Sequence, residues 1–225
     1  MENNDTAAFF RVEGLLVDRG VMEAAAYFAA NARGFRERAL RFGQVAITFP
    51  VYRLLGQSDR ILANRLAYLP LRNMDEDRIV ELAQEYFEDV LKGAVLDGGV
   101  ELLRKARRQG RRVALISDGL SQVIEPLVDH LKQVDDFICN RIELRDGVAT
   151  GRLLEPVVGG HHSVVWARQY AEQNGLDLGH SLAYGGHGPD LLLLSAVGQP
   201  CAVNPDFTLR QAARQAGWPV MEYRV

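Results

Sequence analysis

Residues 182 to 220 read LAYGGHGPDLLLLSAVGQPCAVNPDFTLRQAARQAGWPV, and the order of segments within this stretch sets the architecture. A short apolar run, His180–Gly186, stops at two glycines. A leucine-rich helical turn follows, opened by Pro189 and Asp190, which are helix-start residues. A second short run, Pro200–Pro205, reads as another strand, and DFTLRQAARQAG then carries helical spacing to a stop at Gly217. Strand, helix, strand, helix at this spacing is the pattern of a parallel sheet whose crossovers are helices.

The same alternation extends back to about Gly93. Arg111–Ser117 (RRVALIS) is a further strand candidate, DGGVELLRKARRQG ends on Gly110, and SVVWARQYAEQNG ends on Gly175. Residues 21 to 91 differ: VMEAAAYFAANARGFRERALRFG and DEDRIVELAQEYFEDVL place apolar residues at helical spacing, with little period-two alternation. The expected organisation is therefore an α/β core from residues 1–20 and 92–225, with a first strand at Ala7–Val12, interrupted by a helical cap over 21–91. Such a cap would sit near the carboxyl ends of the strands, where open α/β sheets bind ligands. Phe42–Gly56 is the most apolar part of the cap; it reads as cap core, with a lipid- or acyl-binding surface as the other reading.

At 225 residues with 26 basic and 29 acidic side chains, the chain has the composition of a globular protein and a net charge of −3, so the whole-chain balance shows no footprint for nucleic acid or an anionic membrane. A small molecule or a protein is the expected partner. The amino-terminal MENNDTAAFF is acidic and lacks a basic and then apolar leader pattern, which suggests the cytoplasm. Cys139 and Cys201 are far apart in apolar surroundings and read as reduced, buried residues, and no apolar run reaches the length of a bilayer span.

Four segments together carry a resemblance: AFFRVEGLLV (Ala8–Val17), VALISDG (Val113–Gly119), GGHHSVVWARQYAEQNGLDL (Gly159–Leu178) and the 182–220 stretch. The chain resembles the haloacid dehalogenase (HAD) superfamily in its phosphoserine-phosphatase-like branch, subfamily IB, with degenerate catalytic motifs. The resemblance implies a Rossmannoid parallel sheet with helices on both faces and a helical cap between the first and second motifs. In such enzymes a first-motif aspartate attacks phosphorus and a second one, two residues on, serves as acid and base. Magnesium is held by carboxylates of the first and fourth motifs, and a second-motif hydroxyl and third-motif lysine hold the phosphoryl oxygens.

Carried over position by position, the nucleophile becomes Arg11, which has no lone pair to offer. Glu13 stands at the acid/base position with its carboxyl one methylene longer, and Leu15 replaces a threonine. The fourth-motif metal aspartate becomes Gly186, while Asp190 survives. Ser117 keeps the hydroxyl, and the lysine falls at Ser163, behind His161 and His162. The resemblance thus implies magnesium for the family and its loss here, so no cofactor is expected. The candidate ligand-binding residues are Arg11, Ser117, Asp118, His161, His162, Ser163, His187 and Asp190, with Glu13 as the candidate acid/base.

Arg11 has two readings: an anion-binding group standing in for metal and lysine, or a member of an Arg11–Glu13 or Arg11–Asp190 ion pair that fills the site. Asp118 and Gly119 read as the turn into the next helix, with backbone amides that could hold an anion. His161, His162 and His187 raise a replacement metal site, although adjacent histidines on an extended chain face opposite ways. YGGHGPD misses a dinucleotide-binding turn because Leu191 stands where its last glycine would be. The expected function is a non-catalytic pseudophosphatase binding a phosphorylated or carboxylated ligand, or a protein partner, between core and cap. The alternative is a hydrolase with metal-independent chemistry using Glu13, and a lipid-linked ligand is a weaker suggestion of the resemblance.

Overall fold

The computed structural model describes residues 5–223, so the first four residues of the acidic amino-terminal stretch lie outside it. Strand β1 (Ala7–Arg11) is central to a six-stranded sheet and is buried along its whole length. It pairs in parallel with β2 (Arg112–Leu120) on one side and with β6 (Leu182–Gly185) on the other. Next to β2 lies β3 (Asp136–Asn140); beyond β6 come β7 (Gln199–Val203) and the short β8 (Val220–Met221), giving the order β3-β2-β1-β6-β7-β8 with every pairing parallel.

Side chains of β1 alternate between two cores, as a strand buried on both faces requires. Ala7 and Phe9 join the side covered by α7 (Gly160–Gln173), α8 (Leu191–Leu194) and α9 (Phe207–Ala216); Phe9 meets Trp166 and Tyr170 edge-on. Ala8 and Phe10 face the other side, where α5 (Asp97–Arg108) and α6 (Ser121–Leu131) pack and Phe10 stacks on Tyr184 at 4.7 Å. The fold is a Rossmann-like parallel sheet with helices on both faces. Asp206 caps α9 by accepting from Leu209 N, and Gly217 ends it at φ 68°, the start and stop read from the sequence.

Between β1 and β2 the chain is helical: α1 (Val21–Ala30), α2 (Phe35–Leu55), α3 (Arg60–Ala67) and α4 (Glu76–Tyr86), with a wide turn and a tight turn carrying the helical path on to Ala94. The run read as one helical pattern over 21–43 is broken at Asn31–Gly34, and α2 takes in the Phe42–Gly56 stretch up to Leu55, with Gly56 as its cap. The reading of that apolar stretch as cap core is not met. Within α2 only Arg41 and Val45 are buried.

A two-stranded antiparallel hairpin, β4 (Ile142–Arg145) and β5 (Val148–Leu153), was not anticipated, although Asp146–Gly147 at its tip is a hairpin signal and both residues have positive φ. Its outer strand is stitched to the helical segment: Asn73 N donates to Ala149 O, Ala149 N to Met74 O and Glu76 N to Gly147 O, each at 2.8 Å. Among the described residues no helix is long and apolar enough to cross a membrane.

Candidate functional site

Because the strands are parallel, Arg11, Ser117–Asp118, Asn140 and Gly185–Gly186 all arrive at the carboxyl edge of the sheet. Arg11 is buried there, with 4 % of its surface exposed. Its Nη2 donates to Asp118 Oδ2 at 2.5 Å, its Nε lies 2.9 Å from Asp190 Oδ1, and Glu13 Oε2 is 3.6 Å from Nη2. Burial opposes the charge on Arg11, but the carboxylates of Asp118 and Asp190 outweigh it and hold the guanidinium protonated more firmly than in water. Of the two readings of Arg11, the geometry is that of the ion pair, with Asp118 added to Asp190.

Asp118 is the hub of the arrangement. The sequence reads it as part of a turn, yet Asp118 and Gly119 continue β2, past an irregularity in its register with β3. The backbone stays extended because Asp118 O accepts from Tyr68 Oη at 2.9 Å and from Asn140 Nδ2 at 2.8 Å. Its carboxylate also takes Arg60 Nε at 2.8 Å and Asn64 Nδ2 at 2.9 Å. Burial alone would push this carboxyl up; the charges of Arg11 and Arg60, aided by Asn64, bring it down to about 2.

Glu13 takes the place expected for a bound anion. Its Oε1 accepts from Ser117 Oγ at 2.5 Å, from Asp118 N at 3.0 Å and from Gly119 N at 3.2 Å, so the second-motif hydroxyl and amides are occupied by the protein's own carboxyl. Its Oε2 is buried and has no hydrogen-bond partner. Burial, with repulsion from Asp118, pushes the Glu13 carboxyl above its ordinary value against the pull of Arg11 and Ser117. Two guanidinium groups, Arg11 and Arg60, thus face the three carboxyls of Glu13, Asp118 and Asp190.

Of the other expected residues, Asp190 belongs to the cluster and the histidines and Ser163 do not. Asp190 Oδ2 accepts from Gly186 N and His187 N at 3.0 Å each, fixing the loop after β6 rather than facing a ligand. His187 lies over Gly14, where a built Cβ would come within 2.5 Å of its ring and where φ is +77°. His161 is exposed against His162, whose Nδ1 pairs with Val157 O at 2.8 Å; neither lines the cleft beside His187. Ser163 is buried in the first turns of α7. A second guanidinium reaches the cluster from Arg60, whose side chain packs over Gly159 just before α7 and stacks on Tyr52.

Arg60, Asn64, Tyr68 and Asn140 were not found from sequence. The first three recur every four residues on a helical stretch whose other residues, Arg65 apart, are apolar, a polar stripe that was there to be read.

The residues present do not fit magnesium. At the two positions where carboxylates would be needed stand Arg11 and Gly186, and a fixed cation lies between the remaining acids. A Cβ on Gly186 would come 3.0 Å from Val203 O. Among the described residues no group of three or more His, Cys, Asp or Glu side chains is placed to hold another metal ion. Beside the cluster opens a cleft of about 460 Å³ whose polar wall includes Glu13, Tyr52, Arg53, Gln57, Arg60 and His187.

Comparison with known proteins agrees with this fold. A family model for haloacid dehalogenase-like hydrolases matches residues 9–195. A Streptomyces azureus protein named for inhibition of morphological differentiation is 28 % identical over 97 % of this chain and 78 % of its own length. A phosphoserine phosphatase of Mycobacterium tuberculosis is also 28 % identical, over 97 % of this chain and 71 % of its own. Among solved structures, a Bordetella pertussis protein of unknown function superposes with a TM-score of 0.83 at 25 % identity, covering 97 % of this chain and 98 % of its own. A phosphoserine phosphatase captured as a phospho-aspartyl intermediate analogue gives 0.73 at 16 % identity, covering 98 % and 94 %, a likeness of fold alone.

Two predictions follow from the cluster. Arg11→Met leaves Asp118 and Asp190 facing each other without their shared cation, and the expected loss is about 3–5 kcal/mol in urea unfolding at neutral pH; adding Asp190→Asn recovers part of it. The pH dependence has two limbs. The stability held by ionised Asp118 is complete above the ordinary aspartate range and is lost as pH falls toward about 2. That tied to the Glu13 proton is complete in acid and is lost as pH rises through its raised folded value. Thermal melts of Glu13→Gln should therefore keep the acid limb and flatten the other.

Proposed function

The chain belongs to the haloacid dehalogenase-like hydrolase family, and on that premise we propose that it is a pseudophosphatase: a family member without aspartyl-phosphate chemistry that binds a small anionic ligand in the cleft between sheet and helical cap. The observation that supports this reading is the Arg11 guanidinium fixed between Asp118 and Asp190. A guanidinium cannot attack phosphorus, and its charge stands where a metal ion would have to be.

The ligand's partners are Arg60, Arg53 and His187 rather than Arg11. Arg60 engages Asp118 through Nε, which leaves its Nη groups for a phosphate or carboxylate, and Arg53 lines the same wall. Arg11 acts behind them, holding the floor of the cleft in shape.

A second reading is favoured by Glu13, which lines the same cleft and whose buried Oε2 has no hydrogen-bond partner: metal-independent hydrolysis in which Glu13 handles the proton of an attacking water. Burial raises that carboxyl's affinity for a proton, which strengthens it as a base, but its Oε1 is already committed to Ser117 Oγ and the amides of Asp118 and Gly119.

Phosphate release from a panel of phosphomonoesters, with and without magnesium, separates these readings. The natural chain should be silent in both conditions, and inorganic phosphate should raise its melting temperature, less so in Arg53→Ala. Magnesium-stimulated release would overturn the pseudophosphatase reading. Metal-independent release abolished by Glu13→Gln would install the second.

A further inference from the structure

Helix α2 is 21 residues long, about 31 Å, yet only Arg41 and Val45 within it are buried, with Tyr52 packed partly against the core. Leu40, Ile47, Val51 and Leu54 recur at spacings of seven, four and three residues and form one stripe. That stripe lies about 130° around the helix from Arg41 and Val45, with Leu40 64 %, Ile47 72 % and Leu54 78 % exposed. More than half of the exposed large apolar side chains among the described residues fall between Phe35 and Leu69. A continuous apolar face of this kind on a folded chain marks a contact surface.

Charge says what covers it. Residues 33–72 carry eight arginines against two acids, Glu37 and Asp59, in a chain whose overall charge is −3. The whole-chain balance conceals this segregation. Glu37 is spent on buried Arg41 at 2.6 Å, while Arg33, Arg36, Arg38 and Arg53 are exposed and have no ion-pair partner among the described residues. A second copy docked through the same face would set these cations against their own equivalents, with no free acid on α2 to answer them. An anionic lipid surface satisfies both features: its acyl boundary takes the apolar stripe and its phosphates take the arginines.

We propose that α2 is a membrane-surface docking helix that lies in the headgroup region of an anionic bilayer, inserting Leu40, Ile47, Val51 and Leu54 without crossing it. Arg53 borders the cleft as well, but Arg36 and the stripe of Leu40, Ile47, Val51 and Leu54 do not line it, so the inference stands whether or not the cleft binds a ligand.

Flotation of the full chain with phosphatidylcholine vesicles, and with vesicles mixed from phosphatidylcholine and phosphatidylserine, tests it. The expected result is binding to the mixed vesicles only, weakened by salt. Arg36→Gln, one turn from Leu40 on the same face, should lower the partition constant roughly fivefold, and Ile47→Glu with Leu54→Glu should abolish binding while circular dichroism and the melting temperature stay unchanged. Equal binding to both vesicle types, no binding to either, or retention of binding in the Ile47→Glu/Leu54→Glu variant would overturn the proposal. So would a concentration-dependent dimer in sedimentation velocity that this variant dissolves while vesicles are ignored.

Discussion

Burying the Arg11 guanidinium at the end of the central strand imposes a condition that much of the site is built to meet. An ion of that size loses several kcal/mol of hydration on entering the interior, and only well-placed carboxylates return it. Asp118 from β2 and Asp190 from the turn after β6 supply them, one from each strand flanking β1. The parallel register brings both acids to the same edge as Arg11. Sheet topology and charge pairing are thus two sides of one constraint.

Asp118 in turn has to be satisfied, and the groups that do so tie the molecule together. Arg60 and Asn64 reach it from α3, Tyr68 from the residue after that helix and Asn140 from β3. Asn64 and Asn140 also meet at Val158, one on its carbonyl and the other on its amide. The helical segment is therefore anchored to the sheet through the same carboxylate that neutralises Arg11. A polar network of this density, buried and nearly complete, fixes one arrangement of segment against sheet. Glu13 Oε2 and Asn64 Oδ1 are the atoms it leaves without partners.

Much of this was legible in the sequence, and the rest was not for physical reasons. The 182–220 stretch disclosed a parallel sheet because glycine stops and short apolar runs are local signals. Arg11, Glu13, Ser117 and Asp190 could be placed at one site because motif positions map onto strand ends. Arg60 could not: its partner is 58 residues away, and nothing local says that a helix-start arginine turns inward. The continuation of β2 through Asp118 and Gly119 was hidden because it depends on Tyr68 and Asn140 rather than on local propensity. Periodicity showed that α2 is a helix with apolar positions, but it cannot tell a face that meets a core from one that meets something outside the chain.

The charge arrangement at the end of β1 is most directly tested by a crystal structure grown with magnesium and beryllium fluoride, which together mimic a phosphorylated aspartate where one can form. The prediction is density for the Arg11 guanidinium between Asp118 and Asp190, with no metal beside it. A magnesium ion coordinated there, with Arg11 turned out of the cluster, would contradict it.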